Sequence, residues 1–189
     1  LHVLTRIAGG GSEVNTLYTC NGLDPEKYQV DVAMGEENEP AAAVKTGVTP
    51  HLRFLIVAGM RRDPSPFNDI RAYRSLRAII RSGGYHIVHS HNSKAGFLAR
   101  AAAAAENVPI IIHGIHGISF SPRMSYLERA LYKRLERWVA KRTDAFVPVG
   151  QDLQNNYLAV GIGRPEQYHV VHSGMELDKF RRVAEMPLS

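Results

Sequence analysis

Short runs of β-branched and apolar residues alternate with longer stretches of helical period along almost the whole chain. Apolar runs at 2–7, 28–34, 52–57, 86–89, 109–113, 145–149 and 168–172 predict seven strands. Each run is nearly continuous rather than alternating, as expected of strands covered on both faces. Between them, helical spacing predicts helices over 12–23, 67–82, 93–106, 124–142 and 153–160. Strand and helix in turn predict an α/β, Rossmann-like doubly wound fold: a mostly parallel seven-stranded sheet with helices on both faces.

One segment carries most of the functional signal. Residues 85–120 read YHIVHSHNSKAGFLARAAAAAENVPIIIHGIHGISF. A strand, a helix and a second strand of these lengths close only as a parallel crossover, which sets both strand C-termini on one edge of the sheet. Ligands of open parallel sheets bind at that edge. It would gather His89, His91, Asn92, Ser93, Lys94, His113 and His116. His89 and His113 close their strands and suit satisfied, buried roles, whereas His91 and His116 lie just beyond, within reach of ligand hydroxyls or phosphates. The alanines at 101–105 are expected to let their helix lie close on the sheet. Further along, Leu127, Leu131, Leu135 and Trp138 form a stripe that reads as core packing. Arg129, Lys133, Arg134, Arg137 and Lys141 then form an outer basic face, a candidate for contact with anionic lipid.

Composition narrows the class. At 189 residues and 44% hydrophobic, the chain can build one good core. Lys and Arg exceed Asp and Glu by 23 to 18, a net charge of +5, with clusters at Arg61–Arg62, 71–81 and 129–142. No interleaved aromatic pattern accompanies that charge, so nucleic acid is not an expected partner. The lone Cys20 rules out an internal disulfide. No apolar run reaches the ~20 residues that span a bilayer. The start inside a strand pattern at Leu1 leads us to expect an excised piece of a longer protein.

Candidate chemistry begins at the strand-to-helix turn AGGGSE. Its glycines would let the backbone take positive φ and approach a ligand, and a helix N-terminus favours anions. It is not a dinucleotide fingerprint, since Val14 stands where the third glycine belongs. Zinc on the paired histidines is disfavoured, because no Cys, Asp or Glu sits beside them; no metal and no cofactor is expected. No Ser-His-Asp order, nucleophile elbow or paired-carboxylate signature appears. The loop at 58–66, with two prolines and adjacent arginines, follows a strand and falls on the functional edge.

Four segments carry a family resemblance: AGGGSEVNTLYTCNGLDPEKYQV, HIVHSHNSKAGFLARAAAAAENVPIIIHGIHGISF, ERWVAKRTDAFVPVGQDL and HVVHSGMELDKF. In order and spacing they resemble the N-terminal domain of family-four retaining glycosyltransferases of GT-B architecture, especially bacterial polysaccharide enzymes. The resemblance implies an acceptor-side domain over 1–180 and, from 181 to 189, the hinge into a C-terminal domain that binds most of a nucleotide-sugar donor. It implies a saccharide or polyprenyl-linked acceptor and a cytoplasmic protein, peripheral at the inner membrane face. His116 matches the family histidine that contacts the transferred sugar, with Gly117 beside it. Gly10 and Gly11 would approach the donor diphosphate or acceptor, and His91, Ser93 and Lys94 would bind donor or acceptor groups. Gly150-Gln151 departs from the usual Ser-Glu, Glu176 from the usual Asp, and His113-Gly114-Ile115 from a more usual His-Thr-Val. A second reading is a non-catalytic α/β module that binds a phosphate ligand at residues 9–12.

Overall fold

The computed structural model describes residues 1–8, 10–36, 52–121 and 124–174. The chain opens with β1 (His2–Val3), α1 (Gly11–Gly22), β2 (Asp31–Met34) and β3 (Arg53–Ile56). It continues through α2 (Pro66–Gly83), β4 (Ile87–His91), α3 (Ser93–Ala105) and β5 (Ile110–Ile115). It closes with α4 (Tyr126–Ala140), β6 (Ala145–Pro148), α5 (Gln151–Ala159) and a 3-10 turn at Pro165–Gln167. The expected surface stretch beyond residue 36, Gly9, and the hinge and second-domain residues from 175 onward lie outside the described residues.

The described strands form one six-stranded sheet in the order β3-β2-β1-β4-β5-β6, every pair parallel. The chain therefore winds outward from β1, returns through α2 to lay β4 beside β1, and winds outward the other way. That reversal is the topological switch point, where ligands of doubly wound sheets bind.

The expected seventh strand does not form. Tyr168 makes a single bridge to Phe146. The His169 and Val171 amides donate to the Phe146 and Pro148 carbonyls at 2.9 and 3.0 Å. The segment follows β6 but packs little: Val171 is 55% exposed, so burial gives it almost nothing.

Apolar clusters fill the layers. Val3, Leu76, Val88 and Ala99 join α2 and α3 to one sheet face, and Leu4, Leu17, Cys20 and Val32 join α1 to the other. Ile115, Phe146, Tyr157 and Ile162 close the β6 end. Ala95, Ala99, Ala102 and Ala103 are all buried, so α3 does lie close on the sheet. At Gly96 a Cβ would come within 2.4 Å of the His113 ring, so that approach needs glycine there.

Helix α4 corrects the stripe read from sequence. Leu127, Leu131 and Trp138 are 78%, 54% and 47% exposed, while Glu136, Val139 and Ala140 are buried. The helix is turned by an ion pair. Arg100 of α3, fully buried, donates to the Glu136 carboxylate at 2.7 Å and to the Gly96 carbonyl at 2.8 Å. A serine N-cap with the reciprocal Glu128 contact fixes where α4 starts.

Candidate functional site at the carboxyl edge of the sheet

The AGGGSE turn and the segments that follow β4 and β5 meet at the carboxyl edge of the sheet. A cavity of about 420 Å³ opens at the switch point, walled by Gly11 and Ser12 after β1, Asn92 and Ser93 after β4, and residues 113–119, which end β5 and form the loop after it. Tyr157 of α5 closes one side. None of the residues lining it carries a carboxylate, lysine or arginine.

Two helix N-termini point into this cavity, those of α1 and α3. Their unpaired amides and dipoles favour an anion, each by about 0.3–1 kcal/mol when exposed. The Asn92 amide donates to the Ser12 hydroxyl at 3.0 Å and ties the two ends together. Asn92 itself turns the chain with φ 61° and ψ 165°, a region populated almost only by glycine, so backbone strain is stored at this edge.

The glycine turn is organised differently from expectation. Gly10 has φ −75° and caps α1 in an extended conformation that any residue adopts. The Glu13 carboxylate accepts from the Ala8 and Gly10 amides at 2.8 and 2.7 Å, so those donors are not free for phosphate. What glycine provides is space: a Cβ at Gly11 would meet nothing within 4 Å.

The histidines form a connected cluster. His116 Nε2 lies 3.0 Å from His91 Nδ1, and His91 Nε2 lies 3.1 Å from His2 Nδ1. His89 packs its ring 4.3 Å from that of His91. Its Nε2 is buried without a partner among the described residues, which corrects its satisfied role. His113 is satisfied, with Ser90 Oγ at 3.0 Å from its Nδ1. Burial pushes His2, His91 and His113 well below the usual imidazole range and His89 down to about 4. Burial also lowers His116. All are neutral near pH 7.

Nitrogens of His2, His89 and His91 lie within 4.8 Å of one another. A tetrahedral zinc with bonds of about 2.0–2.1 Å would hold them about 3.3 Å apart. Two of these rings already share a hydrogen bond, so the spacing fits a hydrogen-bonded stack better than a metal centre.

Of the residues singled out by sequence, Gly11, Ser93, His116 and Gly117 line the cavity, Gly10 caps the helix beside it, and His91 sits behind His116. Lys94 does not line it. Its ammonium reaches the Asp69 carboxylate and the Asp63 carbonyl, both at 2.5 Å, and so pins the 58–66 loop to α3. Sequence reasoning missed His2, Ser119 and Tyr157. The Tyr157 hydroxyl donates to the Gly117 carbonyl at 3.3 Å and pairs with Ser119 Oγ at 2.7 Å, holding the loop that carries His116. Its one signal was a tyrosine four residues after Leu153 on a helix face.

The sequence profile of Glycosyltransferase Family 4 matches residues 9–179. The chain is 30% identical over 129 residues to UDP-Gal:alpha-D-GlcNAc-diphosphoundecaprenol alpha-1,3-galactosyltransferase of Escherichia coli, a match covering 68% of this chain and 33% of that protein. The fold is similar to that of UDP-GlcNAc 2-epimerase from Neisseria meningitidis solved with UDP-GlcNAc, with TM-score 0.64 and 14% identity over 90% of this chain and 46% of that one. It is likewise similar to sucrose-phosphate synthase from Thermosynechococcus elongatus, with TM-score 0.61 and 13% identity over 93% and 46%. The chain thus spans about a third of the E. coli relative and under half of these two structures.

Proposed function

The chain belongs to glycosyltransferase family 4, and on that premise we propose that the protein carrying it transfers a sugar, with retention, from a nucleotide-sugar donor to a saccharide or polyprenyl-linked acceptor. The bond from the anomeric carbon to the donor diphosphate breaks as a bond to an acceptor oxygen forms. Residues 1–180 make the acceptor-side domain; 181–189 lead into a second domain that holds most of the donor. The single observation that carries the reading is the convergence of two helix N-termini with His116 at the switch point. Diphosphate is the group such a cavity suits, because amides and hydroxyls there replace its hydration shell without a charged side chain.

In this reading His116 contacts the transferred sugar. Gly117 and Gly11 keep the approach open and Ser93 completes the donor and acceptor contacts, while Gly10 caps α1 beside them and His91 backs His116. Lys94 contributes by holding the α2–α3 edge rather than by touching ligand. The E. coli relative's name places its acceptor on a diphospho-polyprenol, which supports a lipid-linked acceptor for this chain too. No helix among the described residues is long and apolar enough to cross a membrane. The exposed Leu127, Leu131 and Trp138 of α4, flanked by Arg134, Arg137 and Lys141, suit peripheral contact with the anionic inner face of the cell membrane. By itself the chain would fold yet transfer nothing, since half a cleft cannot hold both reactants in line.

The test is transfer by the full-length protein from a panel of nucleotide sugars to a polyprenyl-diphosphate-linked sugar, with the product anomer read by NMR. We expect a retained anomeric configuration and a drop of about a hundredfold for His116→Ala, typical of one removed hydrogen-bond donor. Phosphate binding with no transfer from any donor in the panel would favour the non-catalytic module.

A further inference from the structure

The chain of imidazoles behind His116 follows from strand register. His2 of β1 pairs with His89 of β4, and His91 lies two residues further on the same face, because strand side chains alternate. Across the sheet His91 pairs with Gly114 of β5. A Cβ at Gly114 would come within 2.7 Å of His91 Nδ1 and 3.2 Å of His116 Nε2, so only glycine leaves room for those two rings to meet. The result is a continuous line, His2 Nδ1 to His91 Nε2 at 3.1 Å and His91 Nδ1 to His116 Nε2 at 3.0 Å. It begins at His2, on the wall of a second cavity at the amino edge of the sheet, and ends at the carboxyl-edge pocket.

Two nitrogens in contact need one proton between them, and a neutral imidazole has only one to give. Three neutral rings in line can therefore satisfy both contacts in just two ways. Either every ring carries its proton on Nδ1, or every ring carries it on Nε2. Since Nε2 of His116 is engaged by His91, Nδ1 is the nitrogen left for a ligand. In the first arrangement it is a donor; in the second it is a bare lone pair. The pocket decides between them. Its other groups are helix N-terminal amides and the hydroxyls of Ser12 and Ser93, which suit an anion or a sugar oxygen. A bare nitrogen would repel a phosphate oxygen, which can only accept, whereas an N–H serves a phosphate and a sugar oxygen alike.

We propose that His91 and His2 are positioning residues that hold His116 in the Nδ1–H tautomer, so that it presents a hydrogen-bond donor to the sugar or phosphate in the edge pocket. The proposal rests on the reading of His116 as a residue that touches ligand. The ring partner fixes which nitrogen carries the proton, and burial keeps the line neutral.

The test uses full-length protein. Nitrogen-15 NMR of the imidazoles should show His116 protonated at Nδ1 in the native protein. His91→Leu should release that preference and lower turnover by about tenfold to a hundredfold, as loss of an orienting partner to a functional histidine does. His91→Asn, whose amide sits where Nδ1 was, should restore most of both, and His2→Phe should loosen the tautomer without touching the pocket. A native His116 protonated at Nε2 would overturn the proposal without any variant. So would native turnover and an unchanged tautomer in both His91→Leu and His2→Phe. A tautomer that depends on His91, found together with full turnover in His116→Ala, would uphold the histidine line and overturn the role given to His116.

Discussion

Glu13 sits buried at the start of α1 and takes two amides of the glycine turn for itself. One carboxylate thereby decides that an anion at this edge must use Gly11, Ser12 and the α3 N-terminus instead. His116 and Ser93 were legible from the sequence because they follow strands, and the end of a strand in a parallel sheet is a place, not only a pattern. His2 was not legible: it stands inside an apolar run, and only the β1–β4 register shows that its ring reaches His91. Gly114 looked like a departure from the family pattern; the space it leaves is what lets His91 and His116 meet. Gly114→Ala should therefore force the two rings apart, lowering stability by about 1–3 kcal/mol as overpacking does and lowering turnover with it. Calorimetry and a transfer assay read both; an unchanged melting temperature would show that the rings are not in that contact.

Among the elements, α4 shows where periodicity fails. Its leucine stripe is cleaner than its buried face, because the buried face is centred on Glu136, which reads as solvent-exposed until Arg100 on α3 is seen beside it. One guanidinium nitrogen of Arg100 has no partner among the described residues, so the pair already bears a desolvation cost. Glu136→Ala should leave a buried, uncompensated charge and cost about 3–5 kcal/mol, measured as a shifted denaturant midpoint. Glu136→Gln, which keeps an acceptor, should cost less. Equal, negligible effects of both would show that packing by Val139 and Ala140 alone seats the helix. The turned helix leaves its apolar stripe outward. Binding of the chain to anionic vesicles should weaken with added salt, because exposed charges are screened over about 10 Å at 0.1 M. It should also weaken on Leu127→Ser with Leu131→Ser. No binding at low salt would remove the membrane contact.

For the whole molecule, alternation of strand and helix foretold the doubly wound sheet, and the strand order places the switch point where the polar segments gather. The seventh strand was over-read because apolar sequence alone does not reveal that nothing packs on Val171. The buried histidines also make the fold acid-sensitive. In the folded chain burial holds His89 down to about 4 and His2, His91 and His113 well below their usual range, whereas unfolded histidine titrates near about 6.5. As pH falls below that value, the unfolded chain takes up protons that the folded chain excludes, so stability should decline between about 6.5 and 4. Urea midpoints that stay level from pH 7 to 5 would show these rings to be less shielded than the structure has them. The central claim is that the edge pocket is one wall of the transfer site, and filling it tests that most directly. A Cβ at Gly117 meets nothing within 4 Å, so Gly117→Leu should leave the melting temperature of the full-length protein unchanged while projecting into the cavity. The account predicts turnover reduced by about a hundredfold, as misplacement of a reactant does; turnover at the native level with that side chain in place would contradict it.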